Sequence, residues 1–278
     1  MANVDFRACA VCSNHAVRGA GWDHHTSHNL LFTTQTDEGE TLILKCFLDQ
    51  RAFEVERAIY LGLSDTFSAV DHFLGETCFN GRPTLVFRQL SPIDWSGEWR
   101  SLLARAINVR RLLSHSVAQV GVLHPAIPIV DASMLLAPLR AWLNGDGKKA
   151  PPIVRRGAMK SAFQQPLELC HGDFHPPNLL ADSEGRIHLV DWERCSWSLF
   201  DRDLAAIVVG IAVRQSMREF TTIMASARAI AREPELFAYL VMSEVLALSE
   251  VFANYPEKTE ELGNLLENLV GDYAKTAV

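Results

Sequence analysis

Two nearby stretches carry the residues best suited to chemistry. LCHGDFHPPNLL, residues 169–180, places His171, Asp173, His175 and Asn178 close together, and HLVDWERCSWSLFDRDLAAI, from residue 188, adds Asp191 and Glu193. A carboxylate, a carboxamide five residues later and a second carboxylate are all oxygen donors. Phosphoryl transfer from a nucleoside triphosphate needs such a set: one carboxylate accepts the nucleophile's proton, while a carboxylate and an amide oxygen hold Mg²⁺ on the phosphates. Asp173 is the candidate base, and Asn178 and Asp191 are the candidate metal ligands.

These residues must be held by the elements around them. Downstream of the first stretch, NLLAD, SEG and RIHLVDW read as strand, turn and strand, so Asp173 to Asn178 form a loop entering a hairpin and Asp191 ends its return strand. Helix is expected upstream. Pro176 and Pro177 have fixed φ and are expected to forbid helix within the loop. Nearer the N-terminus, NLLFTTQT and TLILKCFL read as strands joined by a Gly-containing hairpin loop. DQRAFEVERAIYLGL reads as a helix capped by Asp49, and PTLVFRQL as another strand. Beyond Ser91 the pattern becomes helical: EWRSLLARAINVRRLLSHSV, ASMLLAPLRAWL and three long segments from Leu204 onward repeat apolar residues near a period of 3.6.

Composition narrows the reading. The 278 residues, 48% of them apolar, can fill a substantial core, and the net charge of -7 comes with no basic stripe for a nucleic acid. No apolar run reaches membrane-span length and the start MANVDFRACA is unlike a signal peptide, so a cytoplasmic protein is expected. Six irregularly spaced cysteines suggest reduced thiols. Cys9 and Cys12 have the C-x-x-C spacing of zinc ligands, with His15, His24, His25 and His28 behind them, but no second C-x-x-C accompanies them and no zinc site is expected. Lone histidines such as His72, His115 and His124 are expected at the surface or as caps.

Protein kinases share the Asp-to-Asn spacing in H-R-D-L-x-x-x-N, followed by D-F-G. HGDFHPPNLL, LVDWE and DRDLA together resemble the aminoglycoside phosphotransferase and choline kinase-like family of small-molecule kinases, over a stretch from about Gly21 to Ala205. The resemblance implies a two-lobed, protein-kinase-like α+β fold. A small antiparallel-sheet lobe, residues 1–90, would bind nucleotide, and a mainly helical lobe, residues 91–278, would carry the catalytic loop and the acceptor site.

The resemblance also assigns roles. Lys45, in TLILKCF, would pair with the α and β phosphates, held by a Glu on the next helix; Glu54 and Glu56 both qualify, and ERAIYLGL favours Glu56. His171 would brace the loop, with Asp203 of DRDLA as its partner. LVFRQL would form the hinge, with Phe87 behind the nucleotide base and the carbonyl of Arg88 and amide of Leu90 facing its edge. The phosphate-covering turn departs from the family's pattern: GAGWDHHTSHN offers Gly19, Gly21 and Ser27 instead.

The implied activity is Mg²⁺-dependent transfer of the γ-phosphate of ATP or GTP to a hydroxyl of a small molecule. Candidate acceptors are antibiotics of the aminoglycoside or basic peptide type, which would confer antibiotic resistance, and metabolites such as an amino alcohol or sugar. The alternative is a non-catalytic nucleotide-binding relative, and the presence of Lys45, Asp173, Asn178 and Asp191 argues for activity. No nucleic acid or membrane partner is implied, and either a monomer or a dimer is expected.

Overall fold

The computed structural model describes residues 29–79, 81–95, 97–120, 127–145, 166–215 and 219–276. The segment holding Gly19, Gly21, Ser27 and the Cys9–His28 cluster lies outside these residues, as does His124. The chain divides into two compact units. The first takes in the described residues up to Ile93, those of His115–Ile127, and Leu179–Arg194; the second takes in Asp94–Ser114, Pro128–Asn178 and Cys195–Val278.

The first unit is built on a four-stranded antiparallel sheet of β1 (Leu30–Gln35), β2 (Thr41–Cys46), β3 (Phe73–Phe79) and β4 (Arg82–Arg88), in the order β1-β2-β4-β3. Leu42, Leu44 and Val86 pack together on the sheet with Phe32, Leu74 and Phe79 against them. Helix α1 (Gln50–Leu63) starts where Asp49 accepts the Arg51 N–H at 2.9 Å, the N-cap expected from the sequence. It buries Val55, Glu56, Ile59, Tyr60 and Leu63. Strand β5 (Ser91–Pro92) pairs with β7 (Leu179–Ala181), which pairs with β8 (Ile187–Leu189) to give the expected hairpin. Its turn is tied by Asp182, whose Oδ1 accepts the N–H groups of Glu184 and Arg186, both at 2.9 Å.

The second unit is mainly helical. Among its described residues the C-terminal stretch forms four helices rather than three: α5 (Phe200–Gln215), α6 (Phe220–Arg228), α7 (Pro234–Val251) and α8 (Pro256–Thr276). They follow α2 (Trp99–Val120), which runs across the division between the units, then α3 (Ala132–Leu135) and α4 (Ala137–Gly145). The single segment expected over ASMLLAPLRAWL is broken at Leu136 because Pro138 has no N–H and fits only in a first helical turn. Helices α5 and α7 pack on each other, and Ile207, Val208 and Ile211 of the one and Leu240 and Val241 of the other are almost fully buried.

Three expectations are corrected here. The residues just before the loop are a strand, β6 (Glu168–Cys170), which pairs with β9 (Ser196–Ser198), and not a helix. Pro176 and Pro177 do not prevent all helical geometry, since they open a single 3-10 turn, Pro176–Asn178, where their missing N–H groups are not needed. His72 is not at the surface: it is 2% exposed, with its ring stacked on Phe87 and a second buried histidine, His188, edge-on to it. Burial, reinforced by His188, pushes its pKa down to about 3.

Candidate active site

In the first unit, strand alternation places Lys45 on the face opposite Leu44, and it is 7% exposed. Its Nζ lies 2.7 Å from Glu56 Oε2 and 2.5 Å from Asp191 Oδ1. Helical periodicity selects Glu56: it shares one stripe with Ile59, Tyr60 and Leu63 at i, i+3, i+4 and i+7, whereas Glu54 accepts from Gln50 on the exposed side. Burial alone would lower the Lys45 pKa, but Asp191, then Glu56 and Glu193, hold it above its usual value. Burial pushes the Glu56 carboxyl up to about 7 against the pull of Lys45, and its Oε1 has no hydrogen-bond partner among the described residues.

Asp191 follows β8 and precedes the 3-10 turn Trp192–Arg194. It is the one non-glycine residue with positive φ (68°) among the described residues, a conformation Asp tolerates better than most and one found where function dictates backbone. Buried Trp192 fixes this turn from below, donating its indole N–H to the Leu189 carbonyl at 3.3 Å. Glu193 accepts from Asn29 Nδ2 at 2.6 Å; burial first, then the charge of Asp191, raises its carboxyl above the ordinary range.

The hinge candidates lie where β4 ends. Phe87, 7% exposed, sits within 6 Å of Tyr60, His72 and Phe73 in an aromatic cluster. The amide of Arg88 donates to the His72 carbonyl at 2.9 Å and that of Gln89 to Thr41 at 3.2 Å; Leu90 follows, half-buried. The Arg88 side chain reaches out to Glu40 at 3.2 Å.

In the second unit, the loop after β6 is anchored by Asp203 in the first turn of α5. Its carboxylate accepts the N–H groups of His171 at 2.9 Å and Gly172 at 3.0 Å. Arg110, buried in α2, faces the same carboxylate with Nε at 2.9 Å and lies over the Phe200 ring. His171 thus meets Asp203 through its backbone, while its ring Nδ1 accepts the Asp173 N–H at 3.3 Å. Gly172 has φ 81°, which a side chain would strain. Asn178 donates its NH₂ to the Asp173 carbonyl at 2.8 Å and to Asp173 Oδ2 at 3.0 Å. That commits the amide's donors to Asp173, so its oxygen is the atom it can offer elsewhere.

Asn178 in the second unit and Asp191 in the first each carry a hard oxygen of the kind Mg²⁺ accepts beside phosphates and water. Among the described residues no group of three or more His, Cys, Asp or Glu side chains could hold a metal by itself. Sequence reasoning missed Asn29, Arg110 and Glu244, whose Oε1 meets His175 Nε2 at 2.9 Å.

The sequence pattern of the phosphotransferase enzyme family (APH) matches residues 88–244, more than half of the chain. The chain belongs to that family. No curated protein matches this phosphotransferase. Solved structures do. An apo thermostable mutant of aminoglycoside phosphotransferase APH(4)-Ia is 16% identical, with 88% of this chain and 92% of that one covered and a TM-score of 0.58. A ternary complex of a mutant of that enzyme with ADP and hygromycin B is 13% identical, with 88% and 90% covered and a TM-score of 0.56. Choline kinase LicA from Streptococcus pneumoniae is 17% identical, with 94% and 93% covered and a TM-score of 0.54. At these identities the likeness shows the fold, an antiparallel-sheet N-terminal part followed by a mainly helical C-terminal part. No helix among the described residues is long and apolar enough to cross a membrane.

Proposed function

We propose that this phosphotransferase moves the γ-phosphate of ATP or GTP to a hydroxyl of a small molecule, with Asp173 as base. The observation that carries this reading is the buried Lys45, held at once by Glu56 at 2.7 Å and Asp191 at 2.5 Å. A buried ammonium with a raised pKa stays charged at any physiological pH and presents a fixed cation to the α and β phosphates. Asn178 and Asp191 each supply an oxygen ligand to Mg²⁺, which when bound neutralises phosphate charge. Asp173, oriented by the Asn178 amide, aligns the acceptor hydroxyl and takes its proton late in a loose transition state. The aromatic cluster around Phe87 backs the nucleotide base, whose edge is read by the Arg88 carbonyl and the Leu90 amide. Nucleotide use is supported by the ADP complex of the structurally similar phosphotransferase.

The acceptor falls in one of two classes: an antibiotic of the aminoglycoside or basic peptide type, as hygromycin B in that complex suggests, or an amino alcohol or sugar metabolite, as the choline kinase likeness suggests. The test is transfer of labelled γ-phosphate from MgATP and MgGTP to a panel of both classes. Labelled product with any member, lost in Asp173→Asn, supports the reading; nucleotide binding without transfer to any member supports a non-catalytic relative.

A further inference from the structure

His175 has no role in the reaction outlined above, yet it is the residue through which Asp173 and Asn178 are joined. Its backbone N–H donates to the Asp173 carbonyl at 2.8 Å, and its own carbonyl accepts the Asn178 N–H at 3.0 Å. The Asn178 side chain then closes the circle back to Asp173. Any movement of His175 therefore moves both groups.

Its ring is held from two helices. Nε2 lies 2.9 Å from Glu244 Oε1, on α7. The 3.6 Å from Nε2 to Asp173 Oδ1 is too long for a hydrogen bond. A carboxylate partner can only accept, so the proton sits on Nε2. From α5, Gly210 packs so closely that a Cβ there would lie 2.5 Å from Pro176 Cδ and 2.9 Å from His175 Nδ1. Apart from proline, glycine is the residue that a helix interior favours least. Here it is what allows the loop to seat on the helix.

We infer that His175 is a positioning residue for phosphoryl transfer, whose ring, tethered by Glu244 and seated on Gly210, sets the backbone that aligns Asp173 with Asn178. The inference rests on the roles of Asp173 and Asn178 proposed above. Misplacing a reacting group by about 1 Å can cost on the order of 10²-fold in rate. Loosening the tether thus lowers kcat far more than it raises the KM for nucleotide, since of the nucleotide-holding groups only Asn178 is displaced while Lys45, Asp191 and the hinge are untouched.

The test uses the full chain with labelled histidine and the variants Glu244→Gln, Glu244→Leu, Gly210→Ala and His175→Gln. The ring signal lost in His175→Gln identifies His175 in the nitrogen-correlated NMR spectrum. In wild type it shows a proton on Nε2. Glu244→Gln preserves it, because an amide oxygen still accepts, and keeps most of the turnover of MgATP or MgGTP. Glu244→Leu alters the ring signal and lowers kcat about 10-fold or more, with KM for nucleotide within about 2-fold. Gly210→Ala does the same; should it fail to fold, Glu244→Leu carries the test. An unchanged ring signal in Glu244→Leu, equal losses in the Gln and Leu variants, or wild-type kcat in Glu244→Leu overturns the inference. The ring signal needs no turnover, so a signal that responds to Glu244→Leu in a protein that transfers phosphate to no acceptor upholds the tether while refuting the proposed function.

Discussion

The Lys45 cluster and the Asp173 loop are held by opposite means. Around Lys45, fully buried Glu56 and half-buried Asp191 and Glu193 surround one ammonium, and charge fixes the geometry. Around Asp173, backbone and side-chain hydrogen bonds from His171, His175, Asn178 and Asp203 fix it, and the Asp173 carboxylate stays 28% exposed. A group surrounded by opposite charge in a buried place carries stability as well as function. A part-exposed carboxylate on a loop held by hydrogen bonds can change chemistry at little structural cost.

The largest expected effect follows from removing the ammonium. Lys45→Met leaves Glu56 buried beside Asp191 without its cation, which costs roughly 3–5 kcal/mol. The loss depends on pH with a definite sign. Glu56 has a folded pKa of about 7, above its unfolded value, so its contribution is favourable at low pH and is lost as pH rises through the folded pKa. Without Lys45 that pKa moves higher still, and denaturant melts should show the penalty growing from pH 5 to pH 8; a penalty flat with pH would mean that Glu56 is not the partner that matters. Asp173→Asn is the counterpart: turnover falls by roughly 10²-fold, about 2.7 kcal/mol in barrier, while the thermal midpoint and nucleotide affinity barely move. A large drop in melting temperature there would erase the contrast between the two regions.

A smaller effect tests the first unit away from its charges. His72, with a folded pKa of about 3 against about 6.5 unfolded, is buried neutral. Its folded value is depressed, so stability is full above pH 6.5 and is lost as pH falls. At pH 5 the loss is about 2 kcal/mol. His72→Phe keeps the ring and should remove this part of the acid sensitivity; identical pH slopes in the two proteins would contradict its neutral burial. Smallest is the hinge. Leu90→Pro deletes one backbone donor and should weaken nucleotide binding about 10-fold in calorimetry, near 1.4 kcal/mol, with both units folded. Unaltered affinity would move the base elsewhere.

Much of this was legible because it is local. Lys45 stands among apolar neighbours in a strand, Asp49 precedes a periodic helix, and the stripe of Glu56, Ile59, Tyr60 and Leu63 repeats at helical spacing. Strand β3 escaped because FLGETCF lacks a clean alternation: Gly75 at φ 149° and the register shift between Phe73 and Gly75 blur it. The break between α3 and α4 turns on one proline. The burial of His72 depends on aromatic partners 12 or more residues away, which no local pattern reveals. Glu244 was hidden for a further reason. It lies 69 residues from His175 in the middle of α7, a largely apolar helix whose other carboxylates, Glu235 and Glu250, sit near its ends, so that it reads as an isolated charge.

A crystal structure with Mg²⁺ and a non-hydrolysable ATP or GTP analogue tests the central claim most directly. The account predicts Mg²⁺ bonded to the side-chain oxygens of both Asn178 and Asp191, with Lys45 Nζ on the α or β phosphate. A metal more than one coordination shell from both side chains, or phosphates out of reach of Lys45, would contradict it.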